Sequence, residues 1–232
     1  MSGPTGSSSC TSSVAPLANA ADSYYEGTHR RPSRVLRIVP EAPRLIVHDH
    51  RSARRQDVEA FIADAYAKHF GARLRCFMPQ LTALVDRNGR EIAAVGCRGA
   101  GDETLFLEQY TRLPIERVLL EQLGVAVPRD RIVEIGSLAC RDGRAALSMV
   151  RLLIPFLIDR GYEWVVFTAA DTVQRVFSRL DLSPLLLCGA DQSLLRARDN
   201  DWGTYYDHDP VVMAGRLCDG VPAAARAGEV AA

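Results

Sequence analysis

The stretch from Ile132 to Ala169, IVEIGSLACRDGRAALSMVRLLIPFLIDRGYEWVVFTA, constrains the fold more than any other part of the chain. It reads as a strand over 132–139, a short glycine-containing turn, a long apolar helix over 143–160 and a second strand over 163–169. A turn placed there points the first free N–H groups of the helix past the end of the strand. Those groups and the helix dipole form an anion site, which predicts a phosphate-bearing ligand at the strand–helix junction.

Other elements surround this unit. RLIVHD, from Arg44, reads as a strand, and residues 54–70 carry Val58, Phe61, Ile62, Ala65, Tyr66 and Phe70 at helical spacing. Gly71 sits where a helix end calls for a left-handed residue. LTALVD, the turn RNGR and EIAAVGCR form a hairpin, with Asn88-Gly89 as its turn signal. TLFLEQY reads as a further strand. Pro114 opens a short helix, and a helix over 172–180, a strand over 184–188 and a last strand within DPVVMAGRL follow. Pro155 predicts a kink in the long helix. The order fits an α/β fold with a mixed, mostly antiparallel sheet flanked by helices. Residues 1–40, rich in Ser, Ala, Gly, Pro and Arg, predict a disordered tail before a domain over 41–218. Residues 219–232 predict a flexible C-terminal tail.

Composition excludes several function classes. The 28 acidic and 28 basic residues cancel, so nothing in the total charge calls for nucleic acid or an anionic membrane. Lys68 is the single lysine, which disfavours Schiff-base and P-loop chemistry. The six cysteines show no C-x-x-C pair and read as buried, reduced thiols of a cytoplasmic protein. No signal peptide is visible, and the longest apolar run, Leu152–Ile158, is far too short to span a membrane. The five histidines lack ligand spacing, so no metal is expected, and they read as surface or core residues. The G-x-S-x-G, G-x-G-x-x-G and Walker A patterns are all absent.

The segment Val133–Arg151 resembles the donor-binding part of GNAT-type N-acyltransferases. In that family a loop written R/Q-x-x-G-x-G/A after the fourth strand holds the pyrophosphate of acyl-CoA. Gly143 and Ala145 fall on its Gly and Gly/Ala positions, while Cys140 stands at the R/Q position with Arg141 beside it. Over a wider span, FGARLRCFMP, LFLEQYTRLPIE, IVEIGSLA, VVFTA, RLDLSP and WGTYYDHDPVVMAG resemble the thermostable hemolysin family. That family is named for a lytic activity and is assigned a fold like those of GNAT enzymes and acyl-homoserine-lactone synthases. Its motif carries Asn where this chain has Ser137.

The resemblance implies an acyltransferase that moves an acyl group from a pantetheine thioester to an amine or similar small acceptor. The donor, acyl-CoA or an acyl group on a carrier protein, is a co-substrate, and no permanent cofactor is implied. Glu134 occupies the position from which GNAT-like enzymes often draw a general base; its other reading is a glutamate on a solvent face or in a structural ion pair. Glu108 and Tyr110 share one face of the expected strand. They read as groups that orient an amine or serve as acid and base, or as structural partners of Arg98 or Arg112. Ser137 is a candidate nucleophile, or a hydroxyl bonded inside the sheet. Cys140 is a weaker acyl acceptor, since no neighbouring histidine activates it. Leu138 and Ala139 offer N–H groups to the oxyanion. Arg141, Gly143, Arg144 and Ala145 are expected at the donor turn, the two arginines reading otherwise as solvated helix-start residues; Arg98, Trp202, Tyr205 and Tyr206 are expected at an acyl or acceptor pocket, the aromatics reading equally as a cap on the core. The alternatives are a membrane-lysing protein and a non-catalytic module that binds acyl ligands.

Overall fold

The computed structural model describes residues 42–124, 126–195 and 200–221, so the expected tail over 1–40 lies outside the described residues. Among these residues seven strands form one sheet: β1 (Arg44–His48), β2 (Gln80–Val85), β3 (Glu91–Gly99), β4 (Ile132–Cys140), β5 (Trp164–Ala169), β6 (Leu185–Gly189) and β7 (Val211–Arg216). Their order is β1-β2-β3-β4-β5-β7-β6. Each neighbouring pair is antiparallel except β4 and β5, the two strands of the strand–helix–strand unit. The mixed, mostly antiparallel sheet is therefore the one expected.

Among the described residues five α-helices cover it: α1 (Arg55–Phe70), α2 (Glu108–Thr111), α3 (Ile115–Leu123), α4 (Gly143–Ile158) and α5 (Asp171–Ser178). Strand alternation sorts them onto two faces. Leu81, Ala83 and Val85 of β2 pack with Val58, Ile62 and Tyr66 of α1. Leu84, between them, packs on the other side with Ala145, Met149, Leu153 and Leu157 of α4. Ile132 of β4 joins the core under α2 and α3, whereas Val133 joins the α4 side. Strands buried on both faces explain the near-continuous apolar runs of β2 and β5. Helix α1 ends on Gly71 at φ +65°, as its sequence predicts. Pro155 sits in the last turn of α4.

TLFLEQY is not a strand. Leu105–Leu107 form turns that run into the four-residue α2. Carboxylates supply what a neighbouring strand would have supplied. Glu134 accepts hydrogen bonds from the Phe106 and Leu107 N–H groups at 2.8 and 3.0 Å. Glu108 accepts from the N–H groups of Leu105 and Ile115 at 2.9 and 2.8 Å. With its amides satisfied in this way, the segment buries Leu105, Leu107 and Tyr110 as an apolar plug under the sheet.

Two smaller expectations also change. The five described cysteines are free, but only Cys97 is buried, while Cys76 and Cys218 are exposed on loop and 3₁₀ segments. The C-terminal segment remains packed beyond residue 218. Leu217 is buried, and Gly220 lies so close to Ile154 that a Cβ would sit 2.6 Å from its Cδ1. Residues 222–232 lie outside the described residues.

Arg129 completes the plug by reaching Glu108 through two nitrogens and Glu116 through one. Burial alone would raise the Glu108 pKa. The Arg129 bond and the two amide donors outweigh it and hold the carboxyl below its ordinary range. Glu108→Ala should cost roughly 2–3 kcal/mol, the usual range for charged hydrogen bonds. A lowered folded pKa means that this contribution is complete above the unfolded carboxyl pKa and is lost as pH falls through the folded one. Thermal melts should therefore show wild type and variant separated at neutral pH and converging in acid.

Candidate active site

The parallel ladder between β4 and β5 stops at Ile135 opposite Phe167, although β4 runs on to Cys140 and β5 to Ala169. Past that point the two strands part, and the β5-facing amides of Gly136–Cys140 have no ladder partner. On its other edge β4 carries a bulge. Gly96 pairs with Gly136 and Ala94 with Ala139, so Ser137 and Leu138 together face the single Val95. Ser137 adopts φ +54°, in the left-handed region that a residue with a side chain rarely enters. Asparagine enters this region readily, so the Asn of the family motif suits the backbone here. The position first shapes the strand.

A cavity of about 680 Å³ fills the opening and is lined from both faces of the sheet. On the α4 side its wall is apolar, with Ile135, Val150, Leu153, Phe167, Val176 and Phe177. On the α1 side it is aromatic and polar, with Tyr66, Phe106, Tyr110, Trp202, Tyr205 and Tyr206 around Arg98 and Glu134. Ser137, Leu138, Ala139, Cys140, Arg141, Asp142 and Gly143 run along it. The structure thus brings together Glu134, Tyr110, Arg98, the three C-terminal aromatics and the β4 edge.

Glu134 is 2% exposed and lines this cavity. Burial is the main influence and pushes its pKa up to about 7; the Phe106 and Leu107 amides and Arg98, 3.9 Å away, pull in the opposite direction. Each carboxylate oxygen takes one amide donor and keeps a second lone pair for a proton or a water. Arg98 spans Glu134 and Glu103, the latter at 3.4 Å, and its buried Nε has no hydrogen-bond partner among the described residues. The Tyr110 and Tyr206 hydroxyls meet at 2.6 Å, and burial raises both phenols. Burial and nearby Asp142 raise the Cys140 thiol to about 12, which disfavours a thiolate nucleophile.

Not every expected residue lies at the cavity. Glu108 is outside its lining, in the ion pair with Arg129 rather than with Arg98 or Arg112. It shares no strand face with Tyr110, because both stand on α2. Arg144 and Ala145 are also outside the lining. The helix N-terminus is not the free anion cradle read from the sequence: Asp142 caps it, one oxygen accepting from the Arg144 and Ala145 N–H groups at 2.8 and 2.9 Å. Aspartate directly before a helix is a preferred cap, so this signal was present in the sequence.

The sequence reading passed over Met78, Phe106, Tyr66, His69 and His208 as site residues, yet all line the cavity. Tyr66 read as a core position by its helical spacing and the histidines as surface or core residues, and only the fold joins segments 66–78 and 200–208. Arg73 and Asp201 bridge these segments through paired backbone bonds, and the Asn200 side-chain oxygen accepts from the Arg75 and Cys76 amides. Gly203, at φ +54°, lets the turn rest on α1; a Cβ there would stand 1.9 Å from the Phe70 carbonyl oxygen. Trp202 then lies 5.9 Å from Phe106 and 6.3 Å from Tyr66 between ring centres.

The thermostable hemolysin family model matches residues 48–221. No curated protein sequence matches the chain. Among solved structures the fold is similar to FeeM, an N-acyl amino acid synthase from uncultured soil microbes, at TM-score 0.53 and 10% identity, covering 77% of this chain and 93% of that one. TofI, solved in a ternary complex with an inhibitor and MTA, gives 0.50 and 12% identity, covering 75% and 91%. BjaI, a CoA-dependent acyl-homoserine lactone synthase solved with SAM and isopentyl-CoA, gives 0.50 and 10% identity, covering 76% and 84%. At such identities the likeness is one of fold.

Two substitutions probe the backbone of the site. Gly203→Ala must push the turn off Phe70 and should lower stability by roughly 2 kcal/mol or more, the mark of backbone strain. Ser137→Gly removes the left-handed penalty and should raise stability by about 0.5–1 kcal/mol. Thermal or urea unfolding of the two variants checks both signs.

Proposed function

From its membership of the thermostable hemolysin family, whose model spans most of this chain, and from the cavity just described, we propose that the protein is an acyltransferase. It moves an acyl group from a pantetheine thioester to a small amine. The observation that carries the reading is the parting of β4 and β5. It leaves a row of unladdered amides beside a cavity that is apolar on one side and polar on the other. Those amides suit the amide groups of a pantetheine arm, and the apolar wall of Val150, Leu153, Phe167 and Phe177 suits the acyl chain. That FeeM, TofI and BjaI share the fold supports the reading at the level of fold.

In this reading the acceptor amine lies in the aromatic half, where Trp202, Tyr205 and Tyr206 exclude water. Glu134, directly or through one water, takes a proton from the amine as its nitrogen attacks the thioester carbon. N–H groups of Leu138 or Ala139, presented by the bulge, stabilise the oxyanion. The C–N bond forms, the C–S bond breaks, and the pantetheine sulfur leaves as a thiol with the proton that Glu134 had taken. Arg98, facing Glu134, keeps part of the carboxyl ionised near neutral pH and so available as a base. No helix among the described residues is long and apolar enough to cross a membrane. No observation favours lysis over transfer.

The test is to incubate the full chain with acyl-pantetheine donors and a panel of amines, following thiol release and acylated product by mass spectrometry. Bound but unreacted donor would replace the enzyme reading with the binding-module one. Neither binding nor release would overturn both. For a base of pKa about 7, turnover should rise with pH through that value. Glu134→Gln should lose this limb and fall about 10²-fold in kcat. Glutamine can accept only one of the two amides, so some stability is lost as well; the pH profile separates base from prop. A variant that keeps the limb rules Glu134 out as the base.

A further inference from the structure

The donor turn carries a second piece of information, about what delivers the thioester. The N–H groups without an intrahelical partner at the start of α4 are those of Asp142, Gly143, Arg144 and Ala145. The Asp142 carboxylate occupies the last two of the four, and its carbonyl accepts the first regular helix bond from Ala146 at 3.1 Å. The same carboxylate places a negative charge at the mouth of the cavity. A diphosphate set at this helix end, as in a free nucleotide-linked pantetheine, would meet a helix start whose Arg144 and Ala145 amides are already taken, and a like charge.

Around this mouth lies a surface of the opposite sign. Arg141 and Arg144 flank Asp142 and are exposed, and the Arg179 guanidinium at the end of α5 reaches the turn, 3.7 Å from where a Cβ on Gly143 would stand. Exposed Arg87 and Arg90 sit on the β2–β3 turn. Arg141 donates its backbone N–H to Ile92 of β3, next to that turn, and is near enough to Asp86 to act on its charge. Arg141 lines the cavity, Arg144 and Arg179 stand at the same turn, and Arg87 and Arg90 lie on the adjoining hairpin turn, with Asp86 and Asp142 among them. None of the five forms an ion pair among the described residues. The chain as a whole is neutral, so this concentration is local.

Resting on the acyltransferase reading, we propose that the donor arrives on an acidic carrier protein and that Asp142 selects against free acyl-CoA. The arginine ridge docks the carrier's acidic surface, and its phosphopantetheine arm passes the turn with one phosphate, which arginine side chains can meet without the capped amides. The nucleotide half of CoA gains none of the surface contact and brings its diphosphate to the blocked helix end. The chemistry is unchanged: a C–N bond forms, the C–S bond breaks, and the thiol stays on the carrier's arm.

The experiment gives the full chain one acyl group on three donors: an acidic acyl carrier protein, CoA, and pantetheine alone. Thiol release and product mass are read for each. The carrier should exceed CoA in kcat/KM by roughly 10–100-fold at low salt, and added salt should erode this advantage. The double variant Arg144→Glu, Arg179→Glu should shrink the ratio of carrier to pantetheine about tenfold, mainly through KM. Arg87→Glu with Arg90→Glu should act in the same direction from a separate turn. Asp142→Ala, which frees two amides and removes the charge, should raise kcat/KM for acyl-CoA about tenfold relative to the carrier. Acyl-CoA used as well as the carrier, with the ratios unmoved by these variants, overturns this inference alone. Thiol released from none of the three donors removes the acyltransferase reading and this inference with it.

Discussion

The parallel pair β4–β5 holds together through Ile135 and Phe167 and then lets go, and most of what is distinctive about the protein follows from that release. A bulge at Ser137 and Leu138 turns the far half of β4 away from its neighbour, at the cost of one residue held in the left-handed region. Strands that part must leave amides without partners, and here those amides border a cavity rather than a packed core. The same opening joins the two faces of the sheet, so an apolar wall under α4 and an aromatic wall over α1 become two ends of one space.

Carboxylates do structural service around that space. Glu134 and Glu108 between them bind four backbone amides of a segment with no neighbouring strand, and each has an arginine near it. Their surroundings set them apart. Arg129 binds Glu108 at close range and keeps it ionised, whereas Arg98 stands farther from Glu134 and burial prevails, bringing that carboxyl towards neutral pKa. Of two glutamates with similar architectural roles, one is left able to exchange a proton, and it is the one that lines the cavity.

The family takes its name from lysis, while the cavity has the form of a site for small-molecule chemistry. Under the proposed transfer, an acyl chain moved from a polar carrier to a small amine would yield an amphiphile, so membrane damage as a secondary effect of the product is compatible with that proposal.

The strand–helix–strand unit, the hairpin at Asn88-Gly89, helix α1 with its Gly71 terminus and the mixed sheet were legible in the sequence, because local periodicity and turn chemistry act over a few residues. Glu134 was legible as well, since a lone carboxylate in an apolar strand demands an explanation. TLFLEQY misled because its alternation is that of a strand, while its amides are bound by a glutamate 27 and 28 residues away. The Asp142 cap was overlooked although it is local. The joining of Tyr66, Met78 and Phe106 to Trp202, Tyr205 and Tyr206 was beyond any local signal. It depends on the Arg73–Asp201 bridge and the fit of Gly203 against Phe70, contacts between segments more than a hundred residues apart. The sequence by itself determined which elements form and which residue types are available for chemistry. Tertiary packing decided which of them share a cavity and which carboxylate stays protonatable, because burial and distance to a counter-charge exist only once the chain has folded.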